Sequence, residues 1–249
     1  VLLTARGPLG WCVANEMARR FDKLTVIAEE PESKLAVVRR RIRLQGWIDA
    51  FGQLACGLLF RAIEPLAVRR REALCTKFAM RVSPDPGLEV ICVPSVNSEE
   101  CRALLQQIEP AVVAVYGTRI ISSATLHAVQ SPFINYHAGI NPKYRGQHPA
   151  YWALCNGDPE NAGVTIHLVD EGVDTGEVLF QQPVRFSPDD TILTYQWAQL
   201  PAAIPLFLQA ITQAVENRLE PYRVNLSDAQ YFPPTLWSYL WNGISKRVW

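Results

Sequence analysis

Hydrophobic and polar positions along this chain follow two alternating periods, one typical of buried strands and one typical of amphipathic helices. The short apolar runs that predict strands are 1–4, 24–28, 88–93, 111–116, Phe133–His137, 163–169 and 178–184. Helical spacing follows at 11–21, 97–108, 122–129, Pro149–Cys155 and 191–216, and Asn97 and Glu100 have the spacing of a capping box. The alternation predicts an α/β fold with a Rossmann-like, open, twisted, mostly parallel sheet and helices on both faces.

Residues 34–81 interrupt this alternation with a helical, basic insertion. Arginine clusters at 39–43 and 69–71 flank an apolar run that Asp49, Arg61 and Glu64 interrupt. These charges argue against a transmembrane span, so we expect no stable membrane insertion. Two interpretations stay open: the apolar stripe packs on the sheet or on a second subunit, or the insertion forms a cationic wall beside a phosphorylated substrate or a membrane surface. We expect a single catalytic domain over 1–249, with a C-terminal helix and an aromatic tail in 186–249.

Charge and cysteine content narrow the function classes. The 24 Lys and Arg residues balance the 24 Asp and Glu residues, so no overall field favours nucleic acid, and none is expected as a partner. The six cysteines are scattered, without the spacing of a zinc site, so we expect no metal. A reduced, cytoplasmic protein is the simplest interpretation.

The candidate chemistry lies at the end of the strand Phe133–His137. Asn135 and His137 are two residues apart, so their side chains leave the strand on the same side, where open α/β sheets bind ligands. An acidic, glycine-bounded turn with Asp170 and Asp174 follows the next strand. Each residue alone has a structural explanation, but an amide, an imidazole and a carboxylate together suit acyl transfer to an amine.

Four blocks in order resemble the formyltransferase family that uses N10-formyltetrahydrofolate. They are YGTRIIS (116–122), NYH (135–137) with PKYRG (142–146), NGD (156–158) with GVTIH (163–167), and VDTG (173–176). The resemblance implies a catalytic trio of Asn135, His137 and Asp174, in which Asn135 donates to the formyl oxygen, His137 assists proton transfer and Asp174 orients the imidazole. The chain departs from the family at Gly139, where a serine is common, and at Asn141, where an aliphatic residue is common.

The resemblance also implies which residues bind the two substrates. The folate co-substrate would lie against Thr118, Arg119, Ile120, Asp170, Glu171 and Gly172. Acceptor contacts are expected from Arg6, Lys143, Tyr144, Arg145 and His148. The histidine His167 alternates with apolar neighbours near a strand centre and is expected to be structural.

The acceptor amine is expected to belong to an amino sugar, nucleotide-linked and destined for surface polysaccharide. The first turn, Ala5 to Gly10, has no hydroxyl, and Pro8 has no N–H for a ribose phosphate, which disfavours the glycinamide-ribonucleotide enzymes of purine synthesis. The methionyl-tRNA enzymes carry a second, basic domain, for which the residues after Arg185 leave little room, and the related hydrolase usually has an N-terminal regulatory domain. The basic insertion and the aromatic tail look like those of bacterial sugar-modifying members.

Several alternatives stay open on the sequence alone. They are glycinamide-ribonucleotide formyl transfer, hydrolysis of formyltetrahydrofolate, a catalytically silent folate-binding module, and a transferase that uses another one-carbon or acyl donor. The aromatic tail is consistent with core packing, with homodimer contacts or with stacking on a base.

Overall fold

The structure is a computed structural model that describes all 249 residues. Its strands are β1 (Leu2–Ala5), β2 (Thr25–Glu29), β3 (Glu89–Val93), β4 (Val113–Tyr116), β5 (Phe133–His137), β6 (Arg145–Gly146), β7 (Gly163–Leu168), β8 (Val178–Pro183) and β9 (Gln230–Tyr231). Its helices are α1 (Pro8–Arg20), α2 (Lys34–Gln45), α3 (Trp47–Lys77), α4 (Glu99–Ile108), α5 (Ser123–Leu126), α6 (Pro149–Cys155), α7 (Tyr195–Val215) and α8 (Leu236–Lys246).

Seven of the strands form one sheet in the order β3-β2-β1-β4-β5-β7-β8. Neighbouring strands among β3, β2, β1, β4 and β5 pair in parallel. Strand β7 pairs antiparallel with β5, and β8 pairs antiparallel with β7. The mostly parallel α/β sheet predicted from the sequence is thereby confirmed. The carboxyl ends of the parallel strands lead into the loops with Arg6, Thr118 to Ile120 and Lys143 to Arg145, whereas the turn with Asp170 and Asp174 follows the antiparallel strand β7.

Successive residues of each strand point to opposite faces of the sheet, and each face has its own hydrophobic core. The strand sequences are therefore apolar without interruption. Leu2 and Ile134 pack with α1 and α7 on one face of the sheet, whereas Leu3 and Phe133 pack with α4 on the other. Both faces are therefore covered by helices.

The insertion forms two helices, α2 and α3, which meet at Gly46. Gly46 has a φ of 87°, a left-handed value that suits glycine and allows the sharp change of direction between the helices. No residue of α2 is buried. The helices α3 and α7 are both long and apolar enough to cross a membrane by length and composition alone, but 44% of the apolar window of α7 is buried, against 22% for α3.

Two local predictions are wrong in detail. The N-cap of α4 is Ser98 rather than Asn97, since the Ser98 hydroxyl accepts a hydrogen bond from the Cys101 amide. Asn97 instead bridges to the loop after β4, where its amide group bonds the backbone of Ile120 and Ser122. The predicted 122–129 helix ends at Leu126.

Candidate active site

Asn135 and His137 both project from β5 toward the end of the sheet that carries the candidate loops. Their intervening neighbour, Tyr136, points to the opposite face, where its ring stacks on Tyr116 at 4.9 Å. The antiparallel register places His167 of β7 directly opposite Asn135. The Nδ2 atom of Asn135 lies 3.0 Å from Nε2 of His167.

Both ring nitrogens of His137 face oxygen atoms. Nε2 donates to the carbonyl oxygen of Tyr144 at 2.9 Å, and Nδ1 lies 3.4 Å from Oδ2 of Asp174. The side chain is 7% exposed, so bulk water competes little for these contacts. A protonated ring could donate to both oxygens, and Asp174 could stabilise its charge.

Asp174 is held by the backbone of the loop after His137. The Gly146 amide donates to Oδ2 at 3.0 Å, and the Arg145 guanidinium donates to the neighbouring carbonyl of Val173 at 2.7 Å. Burial alone would raise the pKa of this carboxyl. The charge interaction with His137, the contact with His167 and the Gly146 hydrogen bond outweigh burial and hold the pKa of Asp174 well below its usual range. Asp174 is therefore a fixed anion near neutral pH.

His167 joins the members of the predicted trio and was not identified from the sequence. Its Nδ1 donates to the Leu168 carbonyl at 2.7 Å, which leaves Nε2 free to accept from Asn135. The same Nε2 lies 3.6 Å from Oδ1 of Asp174. A histidine flanked by apolar strand residues therefore orients the Asn135 amide and lies next to the carboxylate.

Gly139 shows why this chain departs from the serine that is common in the resembling family. A Cβ atom at this position would lie 2.4 Å from Cβ of Pro149, 2.6 Å from the Tyr144 carbonyl and 2.7 Å from Nε2 of His137. The loop that bonds His137 has no space for a side chain here.

We expect Gly139→Ser to lower the free energy of unfolding by about 1–3 kcal/mol, because the added atoms must push the Tyr144 carbonyl and Pro149 aside. Urea denaturation followed by circular dichroism measures this loss. Gly57→Ser is the matched control, since no atom lies within 4 Å of a Cβ at Gly57. Equal denaturation midpoints for the two variants would contradict this account.

The residues predicted to bind the folate lie in two loops. The buried carboxylate of Glu29 holds the first loop in place. Glu29 accepts from the Arg119 amide at 2.6 Å and from the Val96 amide at 3.2 Å. The Arg119 side chain bonds the carbonyls of Pro94 and Glu30 through its two terminal nitrogens, and its buried Nε has no hydrogen-bond partner. Glu29 was not identified from the sequence, because its role depends on three strand ends meeting.

The second loop is a turn closed by its own side chains. The Asp170 carboxylate accepts from the Gly172 amide at 3.1 Å and from the Thr175 hydroxyl at 2.6 Å. Glu171 accepts from Ser123 of α5 at 2.5 Å. Thr118 bonds the carbonyl of Arg119, and Ile120 is 62% exposed.

The residues predicted to contact the acceptor differ in their exposure and in their hydrogen-bond partners. Arg6 is exposed after β1. Lys143 and the buried Tyr144 both bond Asp158, at 2.6 Å and 2.9 Å, and Arg145 pairs with Asp228 in addition to Val173. His148 is half-buried, and its ring meets that of Phe60 from α3 edge to face at 6.4 Å.

The half-buried ring of His148 predicts a pH-dependent stability. Burial, reinforced by the charge of Arg41, lowers the pKa of His148 from its ordinary value to about 4. The unfolded chain therefore binds the proton first, and the free energy of unfolding falls by up to about 3 kcal/mol as pH drops from 7 to 4. His148→Asn is expected to remove this contribution, and asparagine tolerates the φ of 53° at this position.

The measurement is urea unfolding of both proteins at pH 7 and pH 4. The wild-type protein should lose about 3 kcal/mol more than His148→Asn. His127→Asn, at an exposed histidine of the same chain, should follow the wild-type protein. Parallel losses in the wild type and His148→Asn would be inconsistent with a buried neutral ring.

A surface groove lies apart from this cluster. It has a volume of about 340 Å³ and is lined by His127, Phe133 and Val169 among others. Phe133 begins β5 and His137 ends it, so this groove and the histidine lie at opposite ends of the strand.

The comparisons with known proteins all find formyltransferases. A sequence model described as formyl transferase matches residues 81–211, which is more than half of the chain. The methionyl-tRNA formyltransferase of Pelotomaculum thermopropionicum is 35% identical over 141 residues, which cover 56% of this chain and 44% of that protein. The chain thus spans less than half of that relative's length. The Finegoldia magna enzyme of the same name is 43% identical over 101 residues, or 40% of this chain and 32% of its own.

Solved structures share the fold at low sequence identity. A sugar N-formyltransferase from Shewanella has a TM-score of 0.57 at 19% identity, covering 92% of this chain and 75% of its own. The Helicobacter canadensis N-formyltransferase, in complex with folinic acid and dTDP-3-aminofucose, has a TM-score of 0.56 at 16% identity, covering 92% and 69%. The phosphoribosylglycinamide formyltransferase of Anaplasma phagocytophilum has a TM-score of 0.57 at 15% identity, covering 94% and 97%.

Proposed function

Because this chain belongs to the formyl transferase family, we propose that it moves a formyl group from N10-formyltetrahydrofolate to the primary amine of a nucleotide-linked amino sugar. The observation that carries the proposal is the connected group of Asn135, His167, Asp174 and His137, in which each residue lies within 3.6 Å of the next. A cytoplasmic location, a homodimer and a role in polysaccharide synthesis are further parts of this proposal.

The reaction begins with attack of the free amine on the formyl carbon, which forms a C–N bond and a tetrahedral oxyanion. The Asn135 amide would donate to that oxyanion, and His137 would carry the amine's proton toward N10 of the folate as the old C–N bond breaks. Asp174 would keep the imidazole oriented and stabilise its positive charge. For this step the substrate must replace the Tyr144 carbonyl as the partner of Nε2 on His137.

The folate is a co-substrate that supplies the activated formyl carbon. The two loops that contain Thr118 to Ile120 and Asp170 to Gly172 are candidates for such a ligand, because the Glu171 carboxylate accepts from Ser123, three residues after Ile120. Their side chains are largely bonded within the protein, which leaves backbone groups and the exposed Ile120 for the ligand. Gly117, at a φ of 67°, turns the chain out of β4 at this point.

The acceptor side is shaped by the inserted helices. Phe60 of α3 packs on His148, and the half-buried Arg41 of α2 has no carboxylate within ion-pair distance. A guanidinium that has no acidic partner and whose charge reaches His148 suits the phosphates of a nucleotide-linked sugar. The structural neighbour that is in complex with dTDP-3-aminofucose supports the same class of acceptor.

Methionyl-tRNA is the second candidate acceptor. It is favoured by the curated relatives, which are methionyl-tRNA formyltransferases. The two acceptors make different demands on the protein, since a tRNA would be held mainly through its phosphate backbone, with a strong dependence on salt.

The test is an acceptor panel with the folate donor and a continuous assay of tetrahydrofolate release. We expect a nucleotide-linked amino sugar to raise the release, and Arg41→Ala to raise the KM for that sugar while Arg20→Ala does not. Release driven by methionyl-tRNA or by glycinamide ribonucleotide, with no response to any amino sugar, would assign the acceptor to the other class.

A further inference from the structure

An unusually large apolar surface lies on the inserted helices and on α8. On α3, the exposed residues Trp47, Phe51, Leu54 and Leu58 follow helical spacing, and Trp47 is 71% exposed. On α8, Trp241 and Ile244 are 66% and 74% exposed. Contiguous apolar surface of this kind is rare on soluble monomers and marks interaction sites.

The two exposed stripes lie on helices that contact each other. Gly52 of α3 is in such close contact with α8 that a Cβ there would lie 2.3 Å from the ring of Trp237. Trp237, Trp241 and Ile244 have the spacing of one helix side, so the exposed residues of α8 begin on its side next to α3. We call this surface, formed by α2, the first half of α3 and α8, the insertion face.

The charge around the insertion face is positive in a chain with no net charge. From Lys34 to Arg61 there are six basic residues and one acidic residue, Asp49. On α2 the exposed Arg39 and Arg43 share a side with the exposed Ile42, whereas Arg40 is paired with Glu32 and Arg41 is half-buried. The α8 end adds Lys246 and Arg247 without an acidic residue.

This combination matches an interfacial membrane-binding helix pair rather than a core helix. Basic residues flank a stripe of Trp, Phe, Leu and Ile, and tryptophan prefers the headgroup level of a bilayer. An anionic bilayer offers complementary charge to the exposed arginines. Self-association through the same face would instead bring two positively charged surfaces together.

We propose that the insertion face binds the surface of an anionic lipid bilayer, with the apolar stripe in the headgroup region and Arg39 and Arg43 at the lipid phosphates. Binding is peripheral, because the fold keeps the other side of α3 packed on the protein through Cys56, Ala67 and Leu74. The proposal does not depend on the identity of the acceptor amine.

Vesicle flotation tests the proposal with purified protein and without folate or amine. We expect the wild-type protein to float with vesicles of phosphatidylcholine and phosphatidylglycerol, but not with phosphatidylcholine alone. Arg39→Glu/Arg43→Glu should lower the partition coefficient by more than about tenfold, as should Trp47→Ala/Trp241→Ala. Circular dichroism checks that each variant is folded.

Arg20→Glu/Lys23→Glu is the matched control, since it changes the net charge equally. Both residues lie before β2, at the opposite end of that strand from α2. This variant should bind vesicles like the wild type. The proposal would be overturned if the two charge variants lost binding equally, or if the protein floated equally with neutral vesicles. It would also be overturned if the protein did not float and instead formed a dimer that Trp241→Asp dissociates.

Discussion

Replacing His137 with glutamine is expected to lower kcat for formyl transfer by about 10²–10⁴-fold, the usual contribution of a positioned proton-transfer group. Glutamine can still donate to the Tyr144 carbonyl, so the loop is expected to keep its conformation. What is lost is the ability to take and release a proton next to Asp174, from which Nδ1 is 3.4 Å away. The measurement is steady-state release of tetrahydrofolate with saturating donor and acceptor.

The KM for the folate donor separates this effect from general damage. It should change little in His137→Gln, because the residue acts on the reacting atoms rather than on the folate loops. His127→Gln alters an exposed histidine outside the site and should retain wild-type kcat. A variant at His137 with near wild-type kcat would remove this histidine from the mechanism.

Replacing Asn135 with alanine is expected to lower kcat by about 10²–10³-fold, the effect of removing one oxyanion donor. Its amide lies 3.0 Å from Nε2 of His167, which orients it, so the donor is positioned before the substrate arrives. The loss should appear in kcat and in kcat/KM alike, since the interaction strengthens as the oxyanion forms.

Two variants make this second prediction specific. Asn156→Ala removes an exposed amide that bonds the Tyr231 hydroxyl, and kcat should stay near the wild-type value. His167→Gln should give a smaller loss than Asn135→Ala, because it leaves the donor in place but orients it less well. An Asn135→Ala effect confined to KM would instead assign Asn135 to uniform substrate binding.

The sequence predicted the elements that position the site, for identifiable physical reasons. Buried strands of a parallel sheet have continuous apolar sequences, so β4 and β5 were located within two residues. The two-residue period of β5 placed Asn135 and His137 on one side. The order of the four blocks carried the assignment of Asp174.

What the sequence missed depends on contacts between distant residues. His167 was assigned a structural role because it alternates with Ile166 and Leu168, and only the antiparallel register places it opposite Asn135. Helix α8 is an exception: it was not predicted, although its residues are amphipathic and the Thr235 hydroxyl accepts from the Ser238 amide at its N-terminus. The bonding of Lys143 and Tyr144 to Asp158 likewise requires the folded loop.

The central claim is that the cluster around Asp174 transfers a formyl group to an amine. Transfer of an isotopically labelled formyl group from the folate to the acceptor, compared between the wild type and Asp174→Asn, tests it most directly. Asparagine tolerates the φ of 54° at this position but has no charge, so the backbone should be preserved while the imidazole loses its anionic partner. We predict labelled amide product from the wild type and a loss of about 10²–10⁴-fold in Asp174→Asn. Equal product from both proteins, or no labelled product from the wild type with any amine, would contradict the account.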